Sequence, residues 1–287
     1  MLKAIVAAGA CLALVLAVPS ARAQEGLLAR ADAAWARRAE GHVDYRAAPG
    51  PIAAAVDGYE AALREVPANL EARWKLLRAL QFMGQFAANG RERRRQVFDR
   101  GRDVFESGLD LLAERVGGRK RLDKMEPEEM RERFGDMPDV IPVYLYGAIN
   151  TGLWASAFGA MAALRHGVAE RVRRYAEIVI ALDPEYQGGA GQRFLAGLHA
   201  NAPRVPFVTG WVRRGTAIAL LRQALVIDPQ HRGTRMSLAA TLLRHAPEQR
   251  TEALAILAEL AELEPSPDAL LETLTLQRNA RALLAGS

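Results

Sequence analysis

The feature that most constrains this chain is a phrase it uses twice: an apolar helix end followed by Asp-Pro. Asp183-Pro184 closes one helix and Asp228-Pro229 closes another. Each proline lacks a backbone donor and biases the residue before it away from helical geometry, so a helix stops there and a tight turn follows. Ahead of the second stop stand Ala217, Leu221, Ala224 and Leu225. Small residues at the first and third of these places let two helices of one hairpin approach closely. The larger residue between them fills the gap to the next hairpin.

This small, large, small, proline spacing is that of the second helix of a tetratricopeptide (TPR) repeat. Ala55, Tyr59, Ala62, Leu63 and Pro67 fit it fully, and Ala72, Leu76, Ala79 and Gly84 fall where the first helix of the next repeat wants them. Val172, Ala176, Val179 and Pro184 fit loosely. Ala253, Leu257, Leu260 and Pro265 fit with a larger third residue, and Gly101, Phe105, Gly108 and Leu109 fit without the proline. Pro229 and Pro265 stand close to one repeat period apart. No run of alternating apolar and polar residues argues for a sheet. The expected fold is all-α: a TPR-like solenoid of helical hairpins wound as a right-handed superhelix, with about 10–12 helices.

Among the expected helices are Val143–Arg165, Val168–Leu182 and Trp211–Ile227. The first is rich in small residues on several faces and so should be central. Residues 24–287 form one helical domain. Within it, 116–142 breaks the pattern with Gly117-Gly118, a charged stretch, Pro138 and Pro142, and reads as an irregular insertion over an edge of the array.

Met1–Ala23 is expected to lie outside the fold. Lys3 supplies a positive start, Ala4 to Val18 is apolar, and Ala21-Arg22-Ala23 precedes a signal-peptidase cut between Ala23 and Gln24. The apolar run is too short to favour a permanent span. Cys11 is the only cysteine, and Ala8 stands where a lipoprotein signal carries a larger aliphatic residue, so membrane attachment would require lipidation at Cys11 against that pattern. Cleavage after Ala23 leaves a mature chain without a thiol, suited to the periplasm. The net charge of +5 includes Lys3 and Arg22. That is too little, and too evenly spread among acids, for a nucleic-acid binder. The run Arg91-Glu92-Arg93-Arg94-Arg95 reads as a solvated face, with an anionic partner as the alternative.

Catalytic chemistry finds no foothold. His42, His166, His199, His231 and His245 are scattered without metal-ligand spacing, and no cofactor is implied. Gly188-Gly189-Ala190-Gly191 lacks the Lys-Ser/Thr of a phosphate loop and reads as a sharp turn opening a helix. No carboxylate pair or nucleophile elbow is singled out, so neither catalytic nor metal residues are expected. What remains is a binding surface. Its candidate lining residues are Trp74, Trp154, Tyr186, Gly188, Gly189, Arg193 and Trp211, with Tyr144, Tyr146 and Phe207 beside them. For each aromatic taken singly, packing in the core is the favoured alternative, with Trp154 and Trp211 better placed than the rest. Arg193 could pair with an acid or backbone carbonyl, or meet a ligand carboxylate.

The order of these features resembles the T-component family of TRAP transporters, TPR-containing periplasmic partners of tripartite transport systems. The likeness is carried by Tyr59-Glu60-Ala61-Ala62-Leu63, Asn69-Leu70-Glu71-Ala72 with Trp74, and the small-residue helix around Trp154. It is carried also by Leu182, by Phe194-Leu195-Ala196-Gly197 and by the Pro203–Trp211 loop, and its most specific part is Asp183-Pro184-Glu185-Tyr186 with Gly188-Gly189 and Arg193. The resemblance implies an internal cleft for a hydrophobic or carboxylate ligand, a homo-oligomer of trimeric kind, and a solute-binding (P-component) partner. The rival expectation is a general periplasmic TPR adaptor that binds protein and no small molecule.

Overall fold

A computed structural model describes residues 21–206 and 208–286, so most of the signal segment, Cys11 included, and Phe207 lie outside the described residues. The expected cut between Ala23 and Gln24 falls in the first turn of helix α1, Ala21–Ala36. Among the described residues the protein is all-α, with fourteen α-helices and a single isolated bridge between Val43 and Arg46. No helix among them is long and apolar enough to cross a membrane.

The helices pack as hairpins. α1 pairs with α2 (Pro49–Glu65), α3 (Leu70–Phe82) with α4 (Gly90–Glu114), and α7 (Val140–Phe158) with α9 (Val168–Leu182). α10 (Tyr186–Asn201) pairs with α11 (Arg214–Ile227), α12 (Arg232–His245) with α13 (Arg250–Glu262), and α14 (Leu270–Ala285) follows. Local chemistry sets the boundaries. Prolines open α2, whose fixed φ suits a first turn, and the Asn69 side chain accepts the Ala72 N–H at 2.8 Å to cap α3. The small and large positions of the repeat pattern are where the hairpins touch: Ala55, Tyr59, Ala62, Ala217, Leu221, Ala224, Ala253, Leu257 and Leu260 are all buried.

Helix α7 is the hub, buried on nearly every side from Val140 to Trp154. Gly147 lets the Phe105 ring lie against its backbone, where a Cβ would stand 2.2 Å from a ring carbon. Asn150 donates to the carbonyls of Leu77 (2.9 Å) and Tyr146 (2.8 Å), tying α7 to α3.

Four expectations need correction. The helix count exceeds the expected range because short helices, which have no room for a periodic signal, fill the gaps: α5 (Arg119–Leu122), α6 (Pro127–Phe134) and α8 (Ala160–Arg165). The single helix expected over Val143–Arg165 is two, broken at Gly159, whose φ of 98° leaves the helical region. Trp211 sits in the turn before α11 rather than inside it. Residues 116–142 are not an irregular cover. Leu122, Met125, Met130 and Phe134 are buried in the main core, α6 packs on α9, and Arg174 donates to the Leu122 and Met125 carbonyls.

The two ends of the array meet. Leu271 of α14 is fully buried in the core made by Leu28, Ile52, Tyr59 and Phe82, while Ala280 of the same helix belongs to the C-terminal core with Leu257 and Leu260. Helix α14 thus closes the last hairpin against the first.

Candidate functional site

Closure creates a cleft of about 470 Å³ between α1, α3, the π-helical turn Met83–Ala87, α7 and the start of α14. Helical spacing builds its walls. Trp74, Arg78 and Gln81 follow one another at one-turn intervals on α3 and so share a face, while Trp35 stands at the end of α1 and Arg38 in the turn just past it. The Arg78 guanidinium lies 4.2 Å from the centroid of Trp35 and 5.0 Å from that of Trp74, while Arg38 lies 4.4 Å from Trp35. Trp74 stacks on Tyr146 at 6.1 Å and 14°, and its Nε1 donates to Asp139 at 2.8 Å. Gln187 Nε2 donates to the hydroxyls of both Tyr146 and Tyr186 at 3.3 Å. Burial, reinforced by Tyr146, pushes the Tyr186 hydroxyl up to about 12.

Polar atoms inside the cleft are left over. Arg38 Nε, Arg78 Nε, Gln81 Oε1 and Glu272 Oε2 are buried without a hydrogen bond. Leaving a buried donor or acceptor unpaired costs about 1–3 kcal/mol, so a group of four in one aromatic cleft makes this the candidate binding site. Two guanidiniums held over indole rings suit a carboxylate beside an apolar body.

The structure brings Trp74 and Tyr186 to this side of the array and places the other candidates elsewhere. Trp154 is buried among Phe98, Val168 and Val172, with its Nε1 on Asp99 (3.0 Å), Phe158 stacked at 4.7 Å and Arg102 at 4.5 Å. Trp211 meets His199 edge-on at 5.3 Å under Arg173, and its Nε1 is buried without a partner.

Gly188 and Gly189 form the sharp turn. With Gln187 they hold three successive left-handed conformations, and added Cβ atoms would stand 2.9 Å from Asp228 and 3.0 Å from Ala224. The glycines therefore bring α10 against the Asp-Pro end of α11. Arg193 fastens this turn, donating to the carbonyls of Gly188 (2.8 Å) and Gln187 (3.1 Å). Burial lowers its pKa to about 10 against the opposing pull of Asp228 and Tyr146.

Sequence reasoning missed Arg38, Arg78, Phe82, Phe86 and Glu272 as cleft residues. The one-turn spacing of Trp74 and Arg78 was a usable signal. Nothing in the sequence placed Glu272 opposite Arg38. Among the described residues no group of three or more His, Cys, Asp or Glu side chains could hold a metal ion.

No family model matches the chain, and no curated protein matches it. Among solved structures it is similar to a thermophilic TPR protein of Thermus thermophilus, at 17% identity over 92% of this chain and 97% of that one, with a TM-score of 0.51. Yeast Tom70 aligns at 15% identity over 93% of this chain and 66% of that one, but with a TM-score of 0.28, too low to bear on the fold. With its paired helices, the first of these likenesses defines the class: a TPR-like helical-repeat protein.

Proposed function

We propose that the protein is a non-enzymatic extracytoplasmic binding protein, the T-component accessory of a TRAP-type uptake system. In this reading Met1–Ala23 directs export to the periplasm. The mature chain assembles as a homo-oligomer of trimeric kind and meets a solute-binding P-component. The cleft holds a small amphipathic carboxylate, its acid group at Arg38 and Arg78 and its apolar body along Trp35, Phe82 and Tyr146. The supporting observation is the closure by α14. It turns an open concave groove into a cleft of small-ligand size with unpaired donors inside.

Native mass spectrometry of the protein, purified under mild conditions from its own periplasm, tests this reading. A trimer carrying a low-mass organic acid supports it. A ligand-free monomer associated with assorted proteins would replace it with the general TPR adaptor.

A further inference from the structure

A second cavity of about 980 Å³ adjoins the first, sharing Gln85 and Phe86 with it. Four arginines line it: Arg46 from the turn before α2, Arg91 and Arg94 from the first turns of α4, and Arg278 from α14. Asp44 is the one carboxylate among its lining residues. Phe86, Phe98 and Leu153 supply its apolar part. Several arginines elsewhere pair with acids, as in Arg100–Glu60, Arg119–Glu106, Arg222–Glu252 and Arg235–Glu259, and others bond only main-chain carbonyls. The cavity's four, like this second kind, have no acid as partner. Arg46 donates to the Ala88 carbonyl (3.1 Å) and to Asn89, Arg94 to the Gly90 carbonyl (3.4 Å), and Arg278 lies 4.5 Å from the Tyr45 centroid. None of the four forms an ion pair among the described residues, so with Asp44 as the one carboxylate a net positive charge is gathered around a concavity.

We propose that this cleft docks an acidic, extended segment of a partner protein, whose carboxylates meet Arg46, Arg91, Arg94 and Arg278 while an intervening apolar side chain enters against Phe86 and Phe98. The guanidiniums come from three separate stretches around an apolar centre. Two of them would saturate a single small carboxylate. An extended acidic peptide instead presents several separated charges with apolar side chains between them. The inference is independent of whether the neighbouring cleft holds a small acid.

Fluorescence polarisation tests it on the whole protein, with a labelled octapeptide of alternating glutamate and leucine as probe. The glutamine counterpart, citrate and phosphatidylglycerol vesicles serve as competitors. The probe should bind more tightly than its glutamine counterpart and weaken with salt, because these charges are exposed and screened. The R91E/R94E double variant should lose about tenfold in affinity or more, and Arg250→Glu, an exposed site far along the chain, should lose none. Should the double variant fold poorly by circular dichroism, Arg278→Ala reads the same loss. The proposal is overturned by equal binding of the glutamine peptide, by equal loss in Arg250→Glu, by citrate displacing the probe as well as unlabelled peptide does, or by arginine-dependent binding of vesicles in place of peptide.

Discussion

Arg38 and Glu272 form an ion pair at 3.4 Å, although one stands in the turn just after the first helix and the other in the last helix. Arg38 also donates to the main-chain oxygen of Asp268, and its guanidinium rests on the Trp35 ring. One side chain thus reads both the backbone and the charge of the arriving helix. Arg38 is buried and Glu272 half-buried, so much of the pair's attraction is offset by the desolvation of its charges. The closure is held chiefly by the burial of Leu271, which Arg38 aligns.

Leu271→Ala should therefore destabilise the protein by about 3 kcal/mol, the range for emptying a fully buried leucine site. Urea unfolding followed by far-ultraviolet circular dichroism measures it. A loss below about 1 kcal/mol would mean that α14 does not pack against the first hairpin.

Gly189→Ala should cost about 1–3 kcal/mol, because its φ of 77° is strained for any side chain and Ala224 already stands where the methyl would go. Gly197, in the same helix, has nothing within 4 Å of an added Cβ. Gly197→Ala should therefore be neutral or stabilise by about 0.5–1 kcal/mol. Opposite signs for two glycines of one helix, read as shifts in urea midpoint, would establish that the turn and not helix propensity governs Gly189.

Stability should fall as the solution is acidified below about pH 6.5. Burial, with nearby arginines, holds both His199 and His231 below their ordinary value of 6.5. In the fold Nδ1 of His199 accepts the Arg213 N–H and Nδ1 of His231 accepts the Thr234 N–H, each at 3.1 Å, roles that only the neutral rings can fill. The unfolded chain takes up protons first as pH falls through 6.5, so the contribution is present above that value and lost as pH drops through the lower folded values. His231→Asn keeps an acceptor at the start of α12 without a titrating ring. Melting temperature against pH should be shallower in this variant than in the wild type, and an unchanged slope would remove His231 from the account.

Arg78→Met keeps a chain between Trp35 and Trp74 and removes the charge. With octanoate as probe, isothermal titration calorimetry should show a loss of about tenfold or more in affinity, the worth of a charge-assisted hydrogen bond. Trp154→Ala, which opens the core rather than the cleft, should instead lower the melting temperature. If octanoate binds Arg78→Met as it binds the wild type, the carboxylate is not seated at Arg78.

What the sequence revealed and what it hid divide along chain distance. The hairpin positions Ala55, Tyr59, Ala62, Ala217, Leu221 and Ala224 were legible because the two helices of a hairpin are neighbours in sequence, and their contact leaves a local spacing. The Gly188–Gly189 turn was legible because only glycine enters such a conformation freely. Met130 and Phe134 were not, since an eight-residue helix is too short to display a period. Nor was the role of Trp154, because an indole on a small-residue helix fits a groove or a core equally well until Asp99 is found opposite it. The meeting of Arg38 with Asp268 and Glu272 was hidden altogether. Contacts between the two ends of a solenoid follow from the summed curvature of every hairpin between them, and no motif records that sum.

The closed array is the claim on which the cleft depends, and a single distance measurement tests it most directly. Spin labels at Arg37→Cys on the first hairpin and Asn279→Cys on α14, both exposed positions, would be placed in a chain whose Cys11 is replaced by serine. Double electron–electron resonance should then give one short, narrow distance distribution, in the presence and absence of added organic acid. A long, broad distribution would describe an open superhelix and contradict the enclosed cleft.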